Sequence, residues 1–531
     1  LRDDANQVKF RVRIGKPINA NLYSNNRSST PHRSHRVQLN LALSVKFSVH
    51  GSDFSGSGSS GVASFGAVPL NSGAAPLIAG LVILLSASAK REIKMNRINW
   101  IPRRTLLGLA AFVGLVVLLM VLSRLTTPSA DQREAISLMQ RDDLPDGPNA
   151  FGLLWTLDRD VPFDEIDVVV QSDVAQVADW PDNWGPGEAP GEEQKWQRDT
   201  YPDLSPPRED YNRFCRTGGD PTCLSKVRAA PEATAEAVER NARLLARIRQ
   251  FRNAEMLRNV MPPKLLTPMP SFSAGHLPMT AHALAFIQGN EEDAVAETCR
   301  DLAAWRRLAL NTDMLIGTMV GIAYAGRGYG QLLAEMLAEW PVDQVLPKVC
   351  DAALAPPREE NLRLCHAVRG EFRLQEATSD LNAVDWEENS WLETLVLNLF
   401  YDRDSTVALA AEQLAPYCTT DSAGRLDHDW RDTNSDIFLR WTCVGNPLGC
   451  ALTGAVGGAV YGDYADRMLD FDARLRQLWT LAWMREQAES GARADTLIER
   501  LPPELRNEDQ PIKLTPDGRS LRVALLDDRH R

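Results

Sequence analysis

No cysteine precedes residue 215 of this 531-residue chain, whereas eight cysteines lie between residues 215 and 450. An even number confined to one side of the chain is typical of a disulfide framework in an oxidising compartment, not of cytosolic thiols. The paired Cys-x2-Cys spacings of a zinc site are also missing. We therefore predict disulfide bonds in the part of the chain after residue 215, and no metal site.

Two of the disulfides can be assigned from spacing. Cys215 and Cys223 enclose the turn-rich segment RTGGDPT, and Cys443 and Cys450 enclose VGNPLG. Closing loops this short stabilises a fold by about 2–3 kcal/mol in the chain-entropy description. The pairing of the other four cysteines stays open at this point: Cys299, Cys350, Cys365 and Cys418.

Signatures of common enzymes are missing as well. The chain contains no Gly-x-Ser-x-Gly, no His-Glu-x-x-His and no phosphate-binding Gly-x4-Gly-Lys-Ser/Thr. His276 and His282 are six residues apart and do not share a helix face, which argues against a helical metal pair. His366 follows Cys365, but a cysteine in a disulfide cannot act as a nucleophile. The sequence therefore indicates no cofactor.

Charge is absent from the nineteen residues 105–123, TLLGLAAFVGLVVLLMVLS. As a helix they would extend about 28 Å, close to the hydrocarbon thickness of a bilayer. Arg103 and Arg104 precede the run, and only Arg124 follows it closely. By the positive-inside rule we predict a single-pass helix in the inner (plasma) membrane, with a cytoplasmic N-terminus and a periplasmic C-terminal region.

A retained anchor explains this run better than three alternatives. A cleavable signal peptide has a shorter apolar core, and Ala130 has Pro128 two residues before it, which is a poor cleavage site. The segment 102–107 resembles a twin-arginine signal, but the run after it is strongly hydrophobic for that route. A buried globular helix does not explain the basic flank.

Residues 1–94, before the apolar run, contain no methionine and show no sustained periodicity. The first methionine is Met95, and residues 1–94 are largely polar and rich in serine and glycine. We expect residues 1–94 to be disordered and to precede the true start at Met95. The fourteen apolar residues 76–89 are short for a span, although with the anchor they could form a hairpin.

Acidic residues dominate the remainder of the chain. Residues 1–126 carry 16 Lys and Arg against 4 Asp and Glu, whereas residues 127–531 carry 42 against 66. Such an acidic region argues against nucleic acid as a partner. The predicted partners are the lipid bilayer, through residues 105–123, and an envelope protein or polysaccharide.

Residues 127–230 lack sustained periodicity, and we predict an irregular Pro-, Gly- and Trp-rich segment. Trp180, Trp184 and Trp196 occur in its long loop. They could form a platform that stacks on sugars or peptides, or they could hold the loop against a helical body. We favour the second role because tryptophan is mostly buried.

Strand patterns are almost absent after residue 230. Helical periodicity predicts a helical domain over residues 231–500, and its first helix spans 231–260 with Arg247 among the arginines on its outer faces. Residues 501–531 contain an alternating pattern around Pro-Asp-Gly that predicts a β-hairpin. The fold class is therefore mainly α: an anchor, then a helical array or α-toroid, then a small hairpin.

Two acidic clusters leave an enzymatic interpretation open. Glu387 and Glu388 follow Trp386, while Asp427 and Asp429 precede Trp430. Paired carboxylates beside aromatic rings are what glycoside cleavage requires, although helix capping and solvated loops explain the same residues. We therefore predict a membrane-anchored binding or scaffolding protein of the bacterial envelope. The alternative is an α-toroid enzyme that acts on envelope polysaccharide.

Overall fold

The computed structural model describes residues 103–180, 195–218, 222–264, 266–341, 344–355, 364–379, 391–419, 440–456, 459–488, 493–516, 518 and 520–526. By internal contacts the chain divides into two compact units, residues 1–113 with 183–193 and residues 114–182 with 194–531. Of the first unit, only residues 103–113 are described. The contacts reported below all lie in the second unit.

The described chain is mainly helical, as predicted. Helices α1 to α8 occupy Arg103–Leu125, Ala130–Met139, Phe151–Trp155, Ile166–Ala178, Arg208–Tyr211, Cys223–Ala229, Pro231–Arg240 and Ala242–Arg249. Helices α9 to α14 occupy Pro278–Ile287, Glu291–Leu310, Leu315–Ile322, Gln331–Glu339, Cys350–Leu354 and Cys365–Thr378. Helices α15 to α20 occupy Trp391–Phe400, Arg403–Leu414, Trp441–Gly445, Pro447–Val456, Ala459–Ala488 and Ala494–Glu499.

Shorter elements connect these helices. Turns of 3₁₀-helix occupy Gln197–Thr200, Gln250–Asn253, Ala415–Cys418 and Pro503–Leu505, and a π-helix occupies Ala323–Gly330. Strands β1 (Ile512–Leu514) and β2 (Leu521–Val523) form the predicted antiparallel hairpin, with Ile512 paired to Val523. The hairpin packs on α19 and α20.

Helix α10 is the centre of one group of helices. Val295, Cys299 and Leu302 along its length are fully buried, as their four- and three-residue spacing predicts. The helix contacts α9, α11, α13 and the π-helix. Gly321 of α11 permits one of these approaches, because a Cβ there would lie 2.7 Å from Ala309 Cβ.

All eight cysteines form disulfides. The structure joins Cys215 to Cys223 and Cys443 to Cys450, the two pairs named from the sequence. The other two bonds are Cys299–Cys350 and Cys365–Cys418, with sequence separations of 51 and 53. Closing loops of that length contributes about 4 kcal/mol each in the chain-entropy description.

The segment expected to be irregular, residues 127–230, contains five α-helices and one 3₁₀ turn in its described part. The longest is α4, where Ile166, Val169, Val170 and Val177 are buried at helical spacing. The neighbouring Pro- and Gly-rich loop obscured this pattern in the sequence. The helix is also fixed by a distant contact, because Asp173 accepts a hydrogen bond from Trp155 Nε1 at 2.7 Å.

The helix predicted over 231–260 is divided. Asn241 separates α7 from α8, and the chain becomes extended from Ala254. Arg247 was expected on an outer face, but it is 5% exposed and its Nη2 donates to Thr156 O at 3.1 Å. The periodicity could not reveal this, because the partner is a carbonyl 91 residues away.

Arginine-to-carbonyl bonds recur through the body. The last carbonyls of a helix have no partner within the helix, so another donor must satisfy them. Arg306 Nη1 donates to Ala353 O of α13 at 3.0 Å, and Arg485 Nη2 donates to Trp340 O after α12 at 2.7 Å. These side chains connect the ends of helices that are far apart in sequence.

Candidate membrane interface

Helix α1 carries apolar side chains on all sides. Its residues Leu107–Leu125 are the only stretch among the described residues that is long and apolar enough to cross a membrane. Eleven of its large apolar side chains are exposed, from Leu107 at 61% to Leu125 at 77%. In water such a row would be costly at about 25 cal/mol per Å², so the helix requires an apolar environment.

The last turn of this helix is attached to the body through Arg124. Its Nε donates to Gly445 O at 2.8 Å and its Nη1 to Asn398 O at 3.0 Å. Its Nη2 donates to Leu399 O at 2.8 Å and to Tyr401 O at 3.0 Å. We call these five residues the Arg124 clamp. One charged side chain therefore holds the ends of α15 and α17 against α1.

Close backbone packing reinforces the clamp. Ser123 Oγ donates to Trp441 O at 2.7 Å and accepts from Gly445 N at 3.1 Å. A Cβ on Gly445 would lie 2.9 Å from both Met120 O and Ser123 Oγ, so only glycine fits this approach. Trp441 Nε1 donates to Thr126 Oγ1 at 2.8 Å, just beyond the helix. The body thus contacts α1 over its last turn and a half.

Local chemistry explains why α17 and α18 are at this position. The Cys443–Cys450 disulfide joins the two helices, and both sulfurs pack with buried Leu409 of α16. Asn446 lies between the helices, fully buried, and its Nδ2 donates to Thr406 Oγ1 at 2.8 Å. Its Oδ1 accepts from Asp402 N at 2.9 Å. The short cystine loop therefore fixes both helices on α16.

Helix α2 extends the attachment away from the apolar helix. Ser129 and Gln132 form a reciprocal capping box at its start. Gln132 Nε2 also donates to Glu412 Oε2 of α16 at 3.1 Å, and Arg440 Nη1 donates to Glu412 Oε1 at 2.6 Å. Helix α2 packs along α16. The chain is thus attached to the body on both sides of residue 127.

A second group of polar residues lies deep in the body. His282 Nε2 is 2.7 Å from Asp301 Oδ2, and both side chains are almost fully buried. Arg252 bonds the other oxygen of Asp301 and also Glu297. Burial favours a higher pKa for Asp301, but the bonds and charges of His282 and Arg252 outweigh it and lower that pKa. Because these bonds join α9, α10 and the 3₁₀ turn Gln250–Asn253 in the interior, we interpret the network as structural.

A small cavity lies near the π-helix. It has a volume of about 160 Å³, and Ser271, Ser273 and Tyr211 contribute polar groups to its lining. Tyr324 of the π-helix donates to Phe272 O and holds the loop that carries both serines. Ligand sites of roughly 300–1,000 Å³ are usual, so this cavity is small for a sugar or a peptide.

His276, beside this loop, is buried. Its ring packs edge-on against Tyr211 with a centroid distance of 6.0 Å. Burial, together with the positive charges of Arg216 and Lys226, lowers the pKa of His276 to about 4. The histidine is therefore neutral at physiological pH.

The carboxylates proposed from the sequence for catalysis lie outside the described residues: Glu387, Glu388, Asp427 and Asp429. Among the described residues, no group of three or more His, Cys, Asp or Glu is arranged to hold a metal ion. His366 lies beside oxidised Cys365, and its Nδ1 is 3.0 Å from Asp143 Oδ1. The two histidines separated by six residues, His276 and His282, have different partners.

Two described tryptophans of the long loop contact each other. Trp196 packs edge-on against buried Trp155 at 5.6 Å and lies 5.8 Å from Trp180, which is 8% exposed. These contacts are those of residues that hold a loop on a body. Trp184 lies outside the described residues.

Sequence reasoning missed the contacts that attach α1. Arg124 was counted only as a flanking charge, and Gly445 only as part of a cystine loop. The uncharged run 441–462 directly after Arg440 was a signal that could have drawn attention to this region. No family model, curated protein or solved structure matches this chain.

Proposed function

We propose that this chain is a single-pass membrane protein whose disulfide-braced helical body lies on the extracytoplasmic side. There the body acts as a binding or scaffolding module of the cell envelope. The observation that carries the proposal is the combination of an exposed apolar helix with a last turn bonded to the body through the Arg124 clamp. A flexible tether would need no such contacts.

Rigid attachment suits a scaffold. Hydrogen bonds from a charged donor contribute roughly 1.5–3 kcal/mol each where they are shielded from water, and less where they are exposed. The clamp makes four of them from one guanidinium. The body is thereby held at a fixed angle to the membrane, so a partner bound on its surface would be presented in one orientation.

Two further observations support the extracytoplasmic side. All eight cysteines are paired, and structural disulfides are rare in reducing compartments. Arg103 and Arg104 lie directly before the apolar run and no basic residue occurs between Arg124 and Arg133 after it, which is the bias expected for a cytoplasmic N-terminus.

Alkaline extraction of membranes tests the anchor. We expect the full chain to remain in the membrane pellet, whereas the double variant Leu115→Arg/Leu118→Arg moves to the supernatant. Each arginine at the centre of a span costs roughly 2.5–3.5 kcal/mol on insertion scales. The matched control is Val168→Arg, at an apolar position of the body that is 67% exposed. This control should stay in the pellet.

Thiol alkylation of intact cells tests the compartment. We expect no modified cysteine before reduction and eight after it, together with activity of a periplasmic reporter fused to the C-terminus. Recovery of the wild-type chain in the alkaline supernatant would refute the anchor. Free thiols in the native protein, or a cytoplasmic reporter, would refute the location.

An enzyme that acts on envelope polysaccharide is the alternative from the sequence. Its four candidate carboxylates lie outside the described residues, and the small cavity near Tyr211 does not adjoin a carboxylate pair among its lining residues.

A further inference from the structure

Exposed apolar side chains lie on the helices that surround the Arg124 clamp. Six large side chains there are exposed, and they lie on three helices, α15, α17 and α18: Leu395, Leu399, Trp441, Val444, Leu448 and Leu452. We call these six residues the apolar face. Helices α15 and α17 are held by the clamp, and α18 packs on both of them. The face is thus continuous with the end of α1.

Sequence and burial show that this face is built at helical spacing. In α18 the exposed residues are Leu448, Ala451 and Leu452, while Gly449 and Cys450 are buried. A surface helix in water normally presents polar residues on its outer side. The run 441–456 contains no charged residue. In α15, Leu395 and Leu399 repeat the same four-residue interval.

The level of the face along α1 identifies what covers it. Gly445 lies against the backbone of Met120, which is about 6 Å before Arg124 along the helix. Residues 107–125 extend about 28 Å, so a bilayer needs nearly all of them to span its roughly 30 Å hydrocarbon layer. The last turn of α1 and the residues packed on it must then lie where acyl chains meet headgroups.

We propose that the apolar face is a second membrane contact, in which α15, α17 and α18 lie in the interfacial layer of the leaflet next to the body. This inference rests on the insertion of α1 proposed above. Exposed leucines meet the upper acyl chains, and Trp441 occupies the headgroup level, where tryptophan is enriched. The Arg124 clamp and the Cys443–Cys450 bond hold the helices at this depth. The protein is therefore seated on the membrane and not only tethered to it.

A lipid surface explains the face better than a second copy of the chain. A protein partner would require no relation between the face and the depth of α1, yet the two are joined by direct hydrogen bonds. Among the exposed large apolar side chains in the described part of the body, six of thirteen belong to this one face. Lipid contact accounts for their collection at the end of the span.

Site-directed photocrosslinking tests the inference in the full chain. Benzoylphenylalanine is placed singly at Leu448, Leu452, Val117 and Val168, and each protein is reconstituted in vesicles of phosphatidylethanolamine and phosphatidylglycerol. Val117 reports on the span, and Val168 is an exposed apolar position on α4. We expect lipid adducts at Leu448 and Leu452 about tenfold above those at Val168, since side chains held in the interfacial layer meet acyl chains and side chains exposed to water do not.

The outcomes distinguish a failure of this inference from a failure of the proposed membrane anchor. Adducts at Val117 without adducts at Leu448 or Leu452 would overturn the seated arrangement and leave the anchor intact. Absence of adducts at Val117 would overturn both. Crosslinks from Leu448 to a second chain would show a protein interface and would also overturn the inference.

The unmodified chain provides a second measurement. In vesicles that contain a lipid with a photoreactive group near its headgroup, we expect labelled peptides from 441–456 and from 395–400 as well as from α1. Labelling confined to α1 would contradict the inference without any substitution in the protein.

Discussion

Helices α10 and α18 distribute polarity in opposite ways. Helix α10 has a charged carboxylate, Asp301, in its buried interior, whereas α18 has Leu448 and Leu452 on its exposed side. In α10 each buried charge has a charged or hydrogen-bonding partner from another helix. In α18 the exposed leucines have no protein environment that would cover them. The difference is that the buried charges of α10 are bonded within the protein, whereas the leucines of α18 are left exposed at its surface.

The two regions also use arginine for one purpose. Arg124 in the last turn of α1 and Arg306 in α10 both donate hydrogen bonds to carbonyls of distant helices. A guanidinium carries five donors, so one arginine can satisfy several of the carbonyls left at helix ends. Arginine-to-carbonyl hydrogen bonds thus connect helices within the body and also attach the body to α1.

Asp301→Ala should have the largest effect on the interior. The substitution removes the acceptor of Arg252 Nε and of His282 Nε2, while Arg252 keeps its bonds to Glu297, and breaking a buried pair in this way costs roughly 3–5 kcal/mol. We expect that loss in the free energy of unfolding, measured by urea titration in nonionic detergent. The control is Asp495→Ala, because Asp495 pairs with Arg493 on the surface. A loss as small as that of the control would contradict the structural role of the network.

Lowering the pH should reduce the free energy of unfolding, because His276 becomes protonated more readily in the unfolded chain. Its pKa is about 4 in the folded protein and about 6.5 in the unfolded chain, so the unfolded state binds the proton first as pH falls. The stabilisation is complete above about pH 6.5 and is lost progressively towards pH 4. From about pH 7 to about pH 5 we expect a loss of about 2 kcal/mol.

The variant His276→Phe isolates this contribution. The free energy of unfolding of the variant should change less between the two pH values than that of the wild type, whatever its absolute stability. Most carboxylates titrate below this range, so they add little to the difference. If the free energy of unfolding of the variant depended on pH as strongly as that of the wild type, His276 would not be the group responsible.

Gly445→Ala should weaken the attachment of α1 to the body. We expect a smaller loss of stability than from Asp301→Ala. The added methyl group would meet Met120 O and Ser123 Oγ at 2.9 Å, and overpacking of this kind costs roughly 1–3 kcal/mol. We expect faster hydrogen exchange in the peptide 441–445. The matched control is Gly462→Ala in α19, where no atom lies within 4 Å of the new Cβ. Equal effects of the two substitutions would contradict the close packing at the clamp.

Local patterns in the sequence predicted the elements but not their connections. The uncharged run predicted α1, and the spacing of Val295, Cys299 and Leu302 predicted the buried side of α10. The two short loops between cysteines predicted two disulfides. In each case the signal lies within a few residues. The hairpin around Pro-Asp-Gly belongs to the same class.

Contacts over long separations could not be predicted in this way. Arg124 and Gly445 are 321 residues apart, and Arg247 and Thr156 are 91 apart. Periodicity shows which side of a helix is apolar, but it does not show which carbonyl a charged side chain will reach. Leu448 illustrates the same limit, because nothing in the cystine loop VGNPLG shows that its leucine is exposed.

The double variant Leu448→Gln/Leu452→Gln should change stability least. Both leucines are more than a third exposed, so their removal loses little packing within the protein, and we expect less than about 1 kcal/mol in detergent. The interior counterpart is Leu409→Gln, at a fully buried position, which should cost several times more because it buries an amide without partners. Urea unfolding of the three proteins makes the comparison. If the double variant were as unstable as Leu409→Gln, the apolar face would have to be packed against protein in the folded state, because only a protein contact would make exposed leucines as costly to remove as core ones.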